Sequence, residues 1–171
     1  MKKSLCILLI LVLVIVCFSA CGANKSFPQN ITCENIMQAA QSVAEVPKYS
    51  KFYLKSKDNL DAYSISLWAD GEFKECEELQ LISDYAMYLG GATSTYEVTV
   101  LKAKSSEDLE KLINLIERRK QTLASGDEGF YDPNFDLRME NSVVYSDDLF
   151  VIFLITDDND SAVKAIETLK E

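Results

Sequence analysis

Histidine is absent from the 171-residue chain. Its absence removes Ser-His-Asp and Cys-His catalysis and the commonest zinc ligand. Glycine and proline are scarce, at 6 and 3 residues, and they build no GxGxxG, P-loop or GxSxG. No CxxC pair occurs, so zinc ribbons and thioredoxin-like redox chemistry have no ligands. Basic patches with interleaved aromatics are also missing. The net charge is -10, and a chain of that sign repels phosphate backbones. Nucleic acid is therefore not an expected partner, and the acidity reads as solubility.

What is present starts at the N-terminus. Residues 1–21 read MKKSLCILLILVLVIVCFSAC. Lys2 and Lys3 make a short positive region, and Leu5 to Phe18 is an unbroken apolar run of 14 residues. A spanning helix needs roughly 20 apolar residues to cross hydrocarbon. The run has instead the length of a signal-peptide core. Phe18-Ser19-Ala20-Cys21 resembles the lipobox of bacterial lipoproteins, with Phe18 where leucine is usual. Small residues before the cysteine suit a peptidase cleft, and the Cys21 thiol is the nucleophile that takes a diacylglyceryl group. Each buried methylene contributes about 0.8 kcal/mol, and two acyl chains make a stable anchor. The resulting expectation is a signal peptide at 1–20, lipidation at Cys21 and a site of work on the outer membrane face. Removal of Lys2 and Lys3 leaves -12 on the mature chain. Cys6 and Cys17 leave with the signal peptide.

Residues 21–31 are polar and read as a tether, leaving residues 32–171 as one α+β domain. Thr32 caps a helix to about Val46, with Pro47 beyond it. Residues 48–82 are hard to read: Tyr49, Phe52, Tyr53, Tyr63, Trp68 and Phe73 give an aromatic cluster, and a helix is placed near 59–69. Aromatics of this kind are ordinarily core, although Trp68, Tyr85 and Tyr88 are candidates for contact with a ligand. Asp84–Leu89 and Tyr96–Lys104 read as strands joined through Gly90-Gly91. A helix follows Ser105, with Leu109, Leu112, Ile113, Ile116 and Leu123 on one face. Arg118, Arg119 and Lys120 read as cations gathered at its C-terminal end. Residues 125–141 read as a loop, and 142–145 and 149–156 as strands. Asp158 or Asp160 caps a last helix. The whole is expected to be a two-layer fold: a mainly antiparallel four-stranded sheet in the order β-β-α-β-β-α, helices on one face, preceded by an N-terminal helix.

The residues that carry a resemblance are Ser83-Asp84-Tyr85-Ala86-Met87-Tyr88, then Glu97 to Lys104, then Asn141 to Tyr145 and Leu149 to Asp158. This pattern resembles the domain-of-unknown-function 4358 family of bacterial, mostly Gram-positive, lipoproteins, over roughly residues 33–170. The resemblance implies a cell-envelope location and a single domain. It implies no activity and no site residues.

The chemistry left open is limited. Cys33 and Cys76 lie beyond the signal peptide in an oxidising compartment and could form a disulfide, or stay as buried thiols. Asp157-Asp158-Asn159-Asp160 offers oxygen ligands, but an EF-hand loop fails at Ala162 and Thr168. No metal, cofactor or catalytic residue is assigned. The leading expectation is a non-catalytic envelope binding module that recognises a protein or wall component. The alternatives are a carboxylate-dependent enzyme acting on wall glycan or peptide, and a small-ligand or cation-binding module. Cys21→Ala is expected to abolish labelling by a fatty-acid analogue and to leave uncleaved precursor or released protein. Equal labelling of variant and wild type would defeat the anchor.

Overall fold

Two strands of this chain are apolar on both sides, and that governs the architecture. Glu97–Ala103 and Phe150–Ile155 are buried along nearly their whole length. A sheet with such strands at its centre must be covered on both faces. The computed structural model describes residues 25–48, 51–91, 94–126 and 132–170. The signal peptide, Cys21, Tyr49 and Gly129 lie outside the described residues. The strands are β1 (Lys51–Leu54), β2 (Ile82–Leu89), β3 (Glu97–Ala103), β4 (Val143–Asp147) and β5 (Phe150–Ile155). They form one sheet in the order β1-β2-β3-β5-β4, with every neighbouring pair antiparallel. The mixed α+β class is as expected. The expected four-stranded sheet, however, is five-stranded. β1 escapes a pattern reading because it is short and sits at the edge, with Lys51 and Phe52 exposed and only Leu54 buried.

The helices are α1 (Cys33–Gln41), α2 (Ala62–Asp70), α3 (Leu109–Ser125), α4 (Phe135–Glu140) and α5 (Asn159–Glu167), with 3-10 turns at Glu77–Leu81 and Ser106–Asp108. Strand register assigns them to faces. Ala86, Val100 and Ile152 are aligned across three strands, as are Val98 and Leu154. With Leu54 they pack against Ile36, Met37 and Ala40 of α1 and Ala162 and Ile166 of α5. One residue along, Tyr85, Leu101 and Val151 align, and so do Met87, Thr99 and Phe153. That side packs on Ile65 and Ala69 of α2 and Leu112, Leu115 and Ile116 of α3. The domain is therefore three layers deep. This corrects the two-layer expectation with helices on one face: the period of two puts apolar residues on both faces, and each face recruits its own pair of helices.

Local signals explain most element ends. Thr32 and Asn35 close a capping box on α1. The helix stops at Gln41, short of Val46, where the Ser42 hydroxyl donates to the Ala39 carbonyl at 2.7 Å. Asp158, not Asp160, caps α5 by accepting from the Ser161 N–H at 2.9 Å. Asp61 caps α2 by accepting from the Ser64 N–H at 2.8 Å. The residues expected to form one long loop after α3 include the short helix α4.

The domain also starts earlier than expected. Phe27 is only 8% exposed. Its N–H donates to Asp148 Oδ2 at 3.1 Å, and its ring meets Phe150 edge-on at 5.3 Å. Lys170 Nζ lies 5.3 Å from the same ring. Phe27 and Ile31, read from sequence as part of the 21–31 tether, thus pack on the folded body. Phe27→Ala is expected to cost about 3 kcal/mol, as a truncated core aromatic does. Urea unfolding reads that cost, and a loss within about 0.5 kcal/mol, the range of surface substitutions, would show that the segment merely rests on the domain.

Candidate functional site

Beneath α2 and α3 the sheet carries a buried carboxylate. Glu97 opens β3 on the α2/α3 face and is 1% exposed. Its Oε2 accepts from Arg119 Nη2 at 2.9 Å and Nε at 3.1 Å. Its Oε1 accepts from Trp68 Nε1 at 3.0 Å and the Thr99 hydroxyl at 2.9 Å. Arg119 Nη1 also reaches the Trp68 carbonyl at 3.2 Å, and the guanidinium lies 5.8 Å from the indole ring centroid. The cluster ties α2, α3 and β3 together. These hydrogen bonds run between elements, so the cluster fixes how α2 and α3 sit on the sheet.

The three aromatics singled out from sequence are not brought together. Trp68 is buried, and its N–H is spent on Glu97. Tyr85 lies on the same face, its hydroxyl donating to the Asp58 carbonyl and accepting from the Leu60 N–H. Tyr88 lies on the opposite face and donates to the Pro47 carbonyl at 2.8 Å. Their polar tips brace the segments around β1 and α2. Cys33 and Cys76 are free and buried in the two separate cores on opposite sides of the sheet. The disulfide left open from sequence is not formed, because the sheet stands between the two residues. Burial, with Asp84 beside it, pushes the Cys33 thiol well up from its ordinary value. Burial and the Glu78 carboxylate push Cys76 up to about 11.

The surface features that remain lie around α2. Tyr63 and Leu67 are one helical turn apart and share an outward face. Gly71 ends α2 with φ 69°, a left-handed conformation that turns the chain back. That turn lays Phe73 on Tyr63, the rings stacked at 4.9 Å and 23°. Leu67 is 51% and Phe73 74% exposed. Next to this patch, residues 70–81 and α3 enclose a cleft of about 410 Å³. Arg118 crosses it, donating to Asp70 Oδ1 at 2.7 Å and Glu78 Oε1 at 2.9 Å. Lys74, Glu75, Glu77 and Lys111 complete the charged lining. Burial raises the Glu78 carboxyl, but bonds from Cys76 and the backbone, together with Arg118, hold it below the usual carboxylate range. At the far end of the sheet, Arg138 joins Asp132 at 2.8 Å and Asp157 at 2.8 Å, and Asp132 in turn accepts from Thr95.

Sequence reasoning missed Arg119 as a core residue and Leu67 and Phe73 as a surface pair. A signal existed for the first. Arg119 follows Leu115 by four and Ile116 by three, so it lies on the buried stripe of α3 rather than at its end. Glu97 lies on the inward face with Thr99 and Leu101, the alternate face to Tyr96, Val98 and Val100, and is the natural partner.

The architecture defines an α+β domain with an antiparallel five-stranded sheet between two pairs of helices. Within it, residues 77–156 match the family model described as Domain of unknown function (DUF4358). The match runs from the 3-10 turn before β2 through β5, a narrower span than the resemblance suggested. It includes Glu97, Arg118 and Arg119, and leaves out α1, α2 and α5. No curated protein and no solved structure matches the chain.

Arg119→Met strands the Glu97 carboxylate in the core. Breaking a buried pair this way costs about 3–5 kcal/mol, whereas replacing both members with apolar residues is often neutral. Urea unfolding of Arg119→Met and of Arg119→Met/Glu97→Leu is expected to show the double variant as the more stable. A single variant within about 0.5 kcal/mol of wild type, the range of surface substitutions, would refute a structural role for the pair.

Proposed function

We propose that this chain is a membrane-anchored extracytoplasmic lipoprotein, held by lipid on Cys21, and that its domain is a non-catalytic binding module of the cell envelope. The observation that carries the binding role is the Tyr63–Leu67–Phe73 patch. Exposed apolar side chains normally occur singly on a soluble domain. Here an aromatic stack and a leucine are contiguous, and they adjoin a cleft rich in charge, an arrangement suited to recognising an envelope protein or wall component. The anchor is supported by the short apolar run and the residues before Cys21. Among the described residues no helix is long and apolar enough to cross a membrane.

The cleft favours binding over carboxylate catalysis. A glycosidase needs one carboxyl kept protonated by a raised pKa. In the cleft Arg118 grips both Asp70 and Glu78, and Glu78 is displaced the other way.

The patch is testable because its residues are exposed and contribute little to the core. Leu67→Ser/Phe73→Ser is expected to keep the thermal midpoint of the wild type while losing at least tenfold in retention on purified cell wall or on a fractionated envelope protein. Equal retention of the two proteins would remove the patch as the recognition surface.

A further inference from the structure

Phe27 is a fixed point of the fold, and only five residues separate it from Cys21. It is clamped at one corner of the domain, between Asp148 of the β4–β5 turn, the Phe150 ring and Lys170. Strand register identifies that corner with one end of the whole sheet. Phe150 pairs with Lys102, and Ala103 with Ile82, so the start of β2, the end of β3 and the β4–β5 turn lie together. The opposite end carries Leu89, Glu97, Ile155 and Val143.

The lengths decide which end a membrane anchor would hold. The six Cα–Cα steps from Cys21 to Phe27, treated as a flexible coil, span about 13 Å on average. Fully stretched they reach about 20 Å. The seven residues of β3 alone rise about 20 Å. The link is therefore too short, on average, to let the far end of the sheet reach a surface that holds Cys21. The clamped end carries exposed Lys25, Lys55, Lys57 and Lys104, interspersed with Glu107, Asp148 and Glu167. The far end carries exposed Asp136, Glu140, Asp157 and Asp160 beside Lys48 and Lys51, so the orientation is set by the link length rather than by charge.

We propose that the β4–β5 end of the sheet is held against the phosphate layer of the lipid bilayer, with Phe27 as the clamp that sets this orientation. The proposal rests on the anchor reading at Cys21. It adds that the domain does not hang on a free leash. Because Phe27 packs on the α1/α5 face, the α2/α3 face with Tyr63, Leu67 and Phe73 is turned away from the point of attachment and is left open to a partner.

The test uses the full mature chain, purified in its membrane form and reconstituted in phosphatidylglycerol–phosphatidylethanolamine vesicles that contain a headgroup-quencher lipid. A fluorophore is placed at Ser146→Cys, near the clamped end, or at Glu140→Cys, at the far end. Cys33 and Cys76 are buried with raised thiols and stay unlabelled at neutral pH. The label at position 146 is expected to be quenched severalfold more strongly than that at 140. A fifteen-residue Gly/Ser insertion between Gly22 and Ala23 is expected to erase the difference while leaving Phe27 and the fold intact. Intact mass of the same sample separates the two ways of failing. Equal quenching with an acylated Cys21 overturns the orientation alone, whereas an unmodified Cys21 overturns the anchor and the orientation with it.

Discussion

The burial of β3 and β5 on both sides is the constraint on which the rest of the domain depends. A half-buried antiparallel sheet needs one layer of helices, but these two strands leave no side for water. Two helices must therefore come to each face. The chain supplies α1 and α5 for one and α2 and α3 for the other, and the strand register keeps the two apolar sets apart. The same separation isolates Cys33 from Cys76.

Full burial makes the single carboxylate of β3 expensive. Glu97 offsets that cost by accepting four hydrogen bonds from three elements. In doing so it sets the position of Trp68 on α2 and of Arg119 on α3. Arg118, the next residue along, is thereby aimed out of the core and across the charged cleft, where it joins Asp70 to Glu78. Beyond it the left-handed turn at Gly71 exposes the Phe73–Tyr63 stack. A structural ion pair and a candidate recognition surface are consecutive consequences of one helix register.

The segment from 77 to 156 that defines the family contains the central strands and α3. Phe27 and the whole Tyr63–Leu67–Phe73 patch lie outside it. The matched part thus holds the central strands, and it also holds Glu78, Lys111 and Arg118 of the charged cleft.

The central elements are legible in the amino-acid order itself. The alternation in 84–89 and 96–104, the double-sided run 150–155, the apolar stripes of α3 and α5 and the caps at Thr32 and Asp158 are local signals, each contained within about ten residues. Tertiary structure alone decided the number of layers, the edge strand β1, the clamping of Phe27 against residues more than a hundred positions away, and the inward turn of Arg119. It also decided that Trp68, Tyr85 and Tyr88 are braces while Leu67 and Phe73 face water. The physical reason is common to all of these. An aromatic or charged side chain carries the same chemistry in the core and on the surface, and its place depends on partners that only a completed sheet brings within reach.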